Sequence, residues 1–104
     1  MARNILITGG TKGIGYAIAC AFSAQGDNVI LNYRSDTSNA LKAKEEMERL
    51  TGKVCLIQAD VSVSSERERL IFDAAKKYGP LDILINNAGI ISKSDLASIT
   101  EEQF

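Results

Sequence analysis

The residues of this chain best suited to chemistry lie in three short stretches. The first, Thr8-Gly9-Gly10-Thr11-Lys12-Gly13-Ile14-Gly15, is a glycine-rich turn. Glycines reach positive φ, let backbone approach a pyrophosphate closely, and expose helix N-terminal amides whose partial positive charge suits an anion. The spacing is Gly-x-x-x-Gly-x-Gly, not the commoner Gly-x-Gly-x-x-Gly. The second stretch is Asp60-Val61 and the third Asn86-Asn87-Ala88-Gly89. Taken singly, Asp60 reads equally well as a cap of the segment after it, and the third stretch as a strand-ending turn. Other chemistries are poorly supplied. There is no His, so zinc sets that mix Cys and His are excluded, and Cys20 and Cys55 belong to no Cys-x-x-Cys pair. Both thiols are expected to be buried and inert.

The turn has its meaning only if a strand precedes it and a helix follows. Asn4-Ile5-Leu6-Ile7-Thr8 is a branched, apolar run that reads as a strand buried on both faces. From Gly13 to Gln25, Ile14, Ile18 and Phe22 with Ala17 and Ala21 make one helical stripe, and Gly26 ends it. Asn28–Tyr33 is a second strand. Ser35-Asp36-Thr37-Ser38 then offers N-caps for a helix in which Ala40, Ala43, Met47 and Leu50 face inward, while Lys42, Lys44, Glu45, Glu46, Glu48 and Arg49 form a solvated outer face. Val54–Ala59 is a third strand. Ser65 with Glu68 suggests a capping box ahead of Leu70, Ile71, Ala74 and Tyr78, with Gly79-Pro80 as the stop. Leu81–Asn86 is a fourth strand. This β-α-β-α-β-α-β rhythm requires parallel pairing, and predicts a Rossmann-type doubly wound α/β sheet, the N-terminal half of a three-layer sandwich.

All three stretches then stand at the C-terminal ends of parallel strands, where open α/β sheets bind ligands. Together, Thr8-Gly9-x-x-x-Gly13-Ile14-Gly15, Asp60-Val61 and Asn86-Asn87-Ala88-Gly89, in that order, resemble the short-chain dehydrogenase/reductase family across essentially the whole chain. The resemblance implies a nicotinamide dinucleotide cofactor held by Gly9, Thr11, Lys12, Gly13, Ile14 and Gly15. It further implies that Asp60 and Val61 meet the adenine, that Asn87, Ala88 and Gly89 lie along the ribose side, and that the substrate is a small carbonyl or alcohol. Asn32-Tyr33 and the Asn-Asn-Ala-Gly-Ile run lean toward the 3-oxoacyl-carrier-protein reductases of that family.

Cofactor choice turns on charge after the second strand. A carboxylate there would serve the ribose 2′-OH of NAD and repel a 2′-phosphate. The matching position is Tyr33, followed by Arg34, which can grip a phosphate bidentately, with Lys12 as a second cation. NADP(H) is therefore expected over NAD(H). Asp36 is the rival NAD carboxylate, read here as a helix cap. The family's catalytic Ser and Tyr-x-x-x-Lys have no match. Tyr16, Tyr33 and Tyr78 are followed four residues on by Cys20, Thr37 and Asp82, and Tyr16 and Tyr78 read as packing residues.

With 104 residues, the chain is expected to be one nucleotide-binding domain that stops short of the catalytic half, since Thr100-Glu101-Glu102-Gln103 looks like a helix start. The alternative is a non-catalytic chain that binds nucleotide without turnover or serves another subunit. Twelve Lys+Arg against 13 Asp+Glu give a net charge of -1, which offers nothing to nucleic acid or an anionic membrane. The apolar stretch after Met1 is too brief for a secretory signal, so a cytoplasmic location is expected, and the family commonly forms homo-oligomers.

Overall fold

The run Asn4–Thr8 is β1, buried at every position, in a computed structural model that describes residues 2–87. The other elements are α1 (Gly13–Ala24), β2 (Asn28–Tyr33), α2 (Thr37–Met47), β3 (Val54–Gln58), α3 (Ser64–Tyr78) and β4 (Ile83–Asn86). The strands form one parallel sheet in the order β3-β2-β1-β4. Because successive side chains of a strand point to opposite faces, β1 and β2 feed two cores. Ile5, Ile7, Val29 and Leu31 pack with Ala19 of α1 and with Ala43 and Met47 of α2. Leu6 and Ile30 pack with Leu70, Ile71 and Ala74 of α3. Helices thus cover both faces, giving the expected three-layer Rossmann-type architecture.

Four local expectations fail. The buried stripe of α1 is Gly15, Ala19 and Ser23, whereas Ile14 is 72% exposed and Ala17 and Ala21 also face outward. Small residues let the helix axis lie close to the sheet, and Ile18 and Phe22 cover the flank of that contact. The Ser65–Glu68 capping box is absent, because α3 starts at Ser64 after Val63, which makes no side-chain cap. Glu66 instead accepts from the Asp60 amide at 2.8 Å, tying the start of α3 to the end of β3. Third, β4 begins at Ile83. Its lead-in residue Asp82 is held to β1 by the Asn4 amide, which donates to Asp82 Oδ2 at 2.7 Å. All four residues of β4 are only half-buried. Cys20 and Cys55, expected to be buried, are only half-buried free thiols, because they sit at the edges of the two cores, and burial raises the pKa of the Cys55 thiol. Ala88, Gly89 and the helix start at Thr100 lie outside the described residues.

At the N-terminal end of the sheet, buried Asp27 accepts three hydrogen bonds from Arg3, from its amide at 3.1 Å, Nε at 3.2 Å and Nη2 at 2.8 Å. These bonds hold its carboxyl below the usual range. A depressed folded value means stability that is complete above the unfolded value, about 3.9, and is lost as pH drops through the folded one. Melting temperatures recorded from about pH 5 to pH 2 should therefore fall less steeply for Asp27→Asn than for the parent. Parallel slopes would show that Asp27 does not carry this linkage.

Candidate functional site

Parallel strands place their C-terminal ends along one rim, and there the turn between β1 and α1 meets Arg34, Asp60, Val61 and Asn87. The turn takes its shape from Gly9 at φ 61 and Gly13 at φ 54, both in the region that favours glycine. It is clamped from three sides. Buried Asn32 accepts from the Gly9 amide through Oδ1 at 3.4 Å and from the Gly10 amide through its carbonyl at 3.1 Å. The same side chain donates through Nδ2 to the carbonyls of Ile57 and Ala59, both at 3.2 Å. Asn39 of α2 donates to the Thr11 carbonyl at 2.9 Å. Asn87 donates from its amide to Thr8 Oγ1 at 2.8 Å and from Nδ2 to the Gly9 carbonyl at 3.3 Å.

The consequence is a preformed, uncapped helix start. Lys12 at the N-cap of α1 makes no side-chain cap, and the first turn holds no acidic residue. The amides of a first turn have no intrahelical acceptor, so the positive end of α1 is open to an anion. Nothing lies within 4 Å of where a Cβ on Gly13 would be, so a ligand can approach the backbone there. Ile14 stands exposed beside it.

Two small cavities flank Gly9. One of about 140 Å³ is lined by Asn32, Arg34, Ala59, Asp60, Val61 and Ser62, and one of about 180 Å³ by Thr11, Lys12, Tyr33, Arg34, Ser35 and Asp36. Both cations are paired: Arg34 Nε lies 3.5 Å from Asp60 Oδ2, and Lys12 Nζ 3.1 Å from Asp36 Oδ2. Hydrogen bonds from Ser62 at 3.0 and 2.6 Å hold the Asp60 carboxyl below its ordinary value. Asp36 is lowered by the Asn39 amide first and Lys12 second. Asp36 does cap α2, accepting from Asn39 at 3.1 Å, as expected.

Every described candidate thus shares one rim. Sequence reasoning missed Asn32 and Asn39, whose side chains fix the shape of the turn. A polar residue inside the apolar run Val29-Ile30-Leu31-Asn32 was the available signal for the first.

Comparison with known proteins settles the lineage. The profile of the short chain dehydrogenase family matches residues 3–104. The chain belongs to the short chain dehydrogenase family. A 3beta-hydroxysteroid dehydrogenase of Eggerthella lenta is 43% identical over 97% of this chain and 40% of its own length. Among solved structures, a short-chain dehydrogenase from Oenococcus oeni superposes with a TM-score of 0.80 at 31% identity, over 95% of this chain and 47% of the other. An NADH-dependent reductase complexed with NAD superposes with a TM-score of 0.79 at 28% identity, over 96% of this chain and 45% of the other. This short chain dehydrogenase sequence therefore spans less than half the length of the proteins it resembles. The family consists of oxidoreductases that use nicotinamide dinucleotides.

Proposed function

We propose that this chain forms the adenosine and pyrophosphate side of an NADP(H) site, in an oxidoreductase acting on a keto/hydroxy carbon. The observation that carries the reading is the open, uncapped N-terminus of α1 beside a rim carrying Lys12 and Arg34. The amides of Gly13, Ile14 and Gly15 suit the pyrophosphate, and Gly9 and Thr11 complete the turn beneath it. The cavity lined by Asp60 and Val61 is assigned to the adenine, and Asn87, with Ala88 and Gly89 after it, to the ribose side. Arg34 and Lys12 are the cations for a 2′-phosphate. When bound, the nicotinamide supplies the hydride donor or acceptor. Two of the phenols, those of Tyr16 and Tyr78, are poor proton donors for such a reaction. Tyr16 donates to Glu46 at 2.7 Å, Tyr78 sits beside Cys55, and burial raises both above the ordinary tyrosine value.

The substrate reading is coarser. Asn32-Tyr33 and the Asn-Asn-Ala-Gly-Ile run favour a 3-oxoacyl carrier protein, whereas the Eggerthella lenta relative is named for a 3beta-hydroxysteroid. A secondary keto/hydroxy carbon is common to both.

Calorimetric titration of the chain at low salt tests the cofactor assignment. NADPH is expected to bind about tenfold more tightly than NADH, with the difference lost in Arg34→Ala, as a charge-assisted contact to one phosphate implies. NADH binding as tightly as NADPH would refute the preference, and binding of neither would refute the site.

A further inference from the structure

Both cations assigned to the 2′-phosphate are already paired, and one of the two partners is unusually placed. Asp36 takes up two features that a phosphate in the 180 Å³ cavity would seek: its Oδ2 lies 3.1 Å from Lys12 Nζ, and its Oδ1 accepts the Asn39 amide in the first turn of α2 at 3.1 Å. A helix N-terminus and an ammonium together make a good anion site, and here a carboxylate of the chain itself occupies it. Arg34 and Asp60 repeat the arrangement across the rim at 3.5 Å, so the four charges around Gly9 sum to zero.

We propose that Asp36 is a specificity-determining residue that competes with the cofactor's 2′-phosphate for Lys12 and for the start of α2, and so holds the preference for NADP(H) over NAD(H) down. The inference rests on the dinucleotide reading above. For the phosphate to reach Lys12, the ammonium must leave Asp36, and the phosphate then lies near a carboxylate that stays fixed on α2. An unphosphorylated ribose meets neither obstacle. The Lys12 and Asp36 side chains are 64% and 48% exposed, so solvent screens the effect to a modest size.

The substitution Asp36→Asn separates charge from structure, because Asn caps helices about as well as Asp and can still accept from the Asn39 amide. The probes are adenosine 2′,5′-bisphosphate and adenosine 5′-monophosphate, titrated calorimetrically into the parent and the variant, with thermal melts as a control on folding. Asp36→Asn should tighten the bisphosphate about three- to tenfold and change the monophosphate less than about twofold, as removal of one screened like charge implies. The gain should shrink at high salt. Unchanged bisphosphate affinity, or a weakened monophosphate, would overturn the proposal, the latter by making Asp36 a ribose acceptor. If Asp36→Asn melts early, Asp36→Ser, which also caps, is read in the same way. Binding of neither probe by the parent would overturn the dinucleotide reading itself, an outcome separate from two probes that bind with an unaltered ratio.

Discussion

Gly15→Ala is expected to lower the melting temperature by about 8–16 °C, which is what a net loss of about 2 kcal/mol means for a chain of this size. A Cβ at this position would sit 2.6 Å from the Gly9 carbonyl oxygen and 2.5 Å from Asn87 Nδ2. Asn87 can turn away, but the carbonyl belongs to the turn and cannot move without reshaping it. Overpacking of this kind costs about 3 kcal/mol, and the better helix propensity of Ala returns about 1 kcal/mol. The close approach wins. Gly13→Ala is the natural comparison. It meets no atom within 4 Å and bears only the strain of φ +54, about 1 kcal/mol. Thermal melts of the two variants should therefore rank Gly15→Ala well below Gly13→Ala. A Gly15→Ala protein as stable as the parent would mean that α1 does not press on the turn.

Asn32 is the second position where a large effect is expected. It is 1% exposed, and its amide joins the glycine turn to the end of β3. Asn32→Leu keeps the volume but leaves the Gly9 amide and the carbonyls of Ile57 and Ala59 without this partner, at a cost of about 3 kcal/mol. Asn32→Asp should be worse near pH 7, because a carboxylate cannot donate to two carbonyls and its charge would be buried. Such a group has its folded pKa raised, so the penalty grows as pH rises above the unfolded value, about 3.9, and shrinks as pH falls. Denaturant melts near pH 7 and near pH 4.5 should show Asn32→Asp approaching Asn32→Leu at the lower pH. A constant gap between the two would argue against an ionised, buried side chain. Both variants should also weaken dinucleotide binding, since the turn loses its fixed shape.

The order of elements was readable because each strand is a compact apolar run and each helix has a polar outer face. What the apolar pattern could not show was the inner face of α1. Ile14, Ala17 and Ala21 have the right spacing for a core stripe, but spacing says nothing about how near the helix lies to the sheet. Gly15, Ala19 and Ser23 win that face because they are small. Ile14 is left at the rim, where the turn needs a helix start and no core is within reach. At α3, Ser65 and Glu68 fit a capping box in type and spacing, yet Glu66 is the residue that reaches back, to the Asp60 amide. Local sequence cannot tell which of two glutamates meets a loop folded over the helix start. Arg34, Asp60 and the glycines were legible as a set because strand ends converge on one rim in any parallel sheet. Their mutual ion pairs were not, because pairing between residues 34 and 60, or 12 and 36, depends on how the rim closes.

The strand order also dictates when the turn acquires its shape during folding. Contacts of β1 with β2 join residues 24 apart, as between Asn28 and Asn4, but Thr8 meets Asn86 across 78 residues. Closing the longer loop costs about 1 kcal/mol more in chain entropy, so β4 is expected to dock after β1 and β2 have paired. Asn87, which braces Gly9 and lies against Gly15, arrives with that last strand. A ligand of the turn should therefore recognise the finished sheet, and stopped-flow measurements should show it slowing unfolding more than it speeds folding.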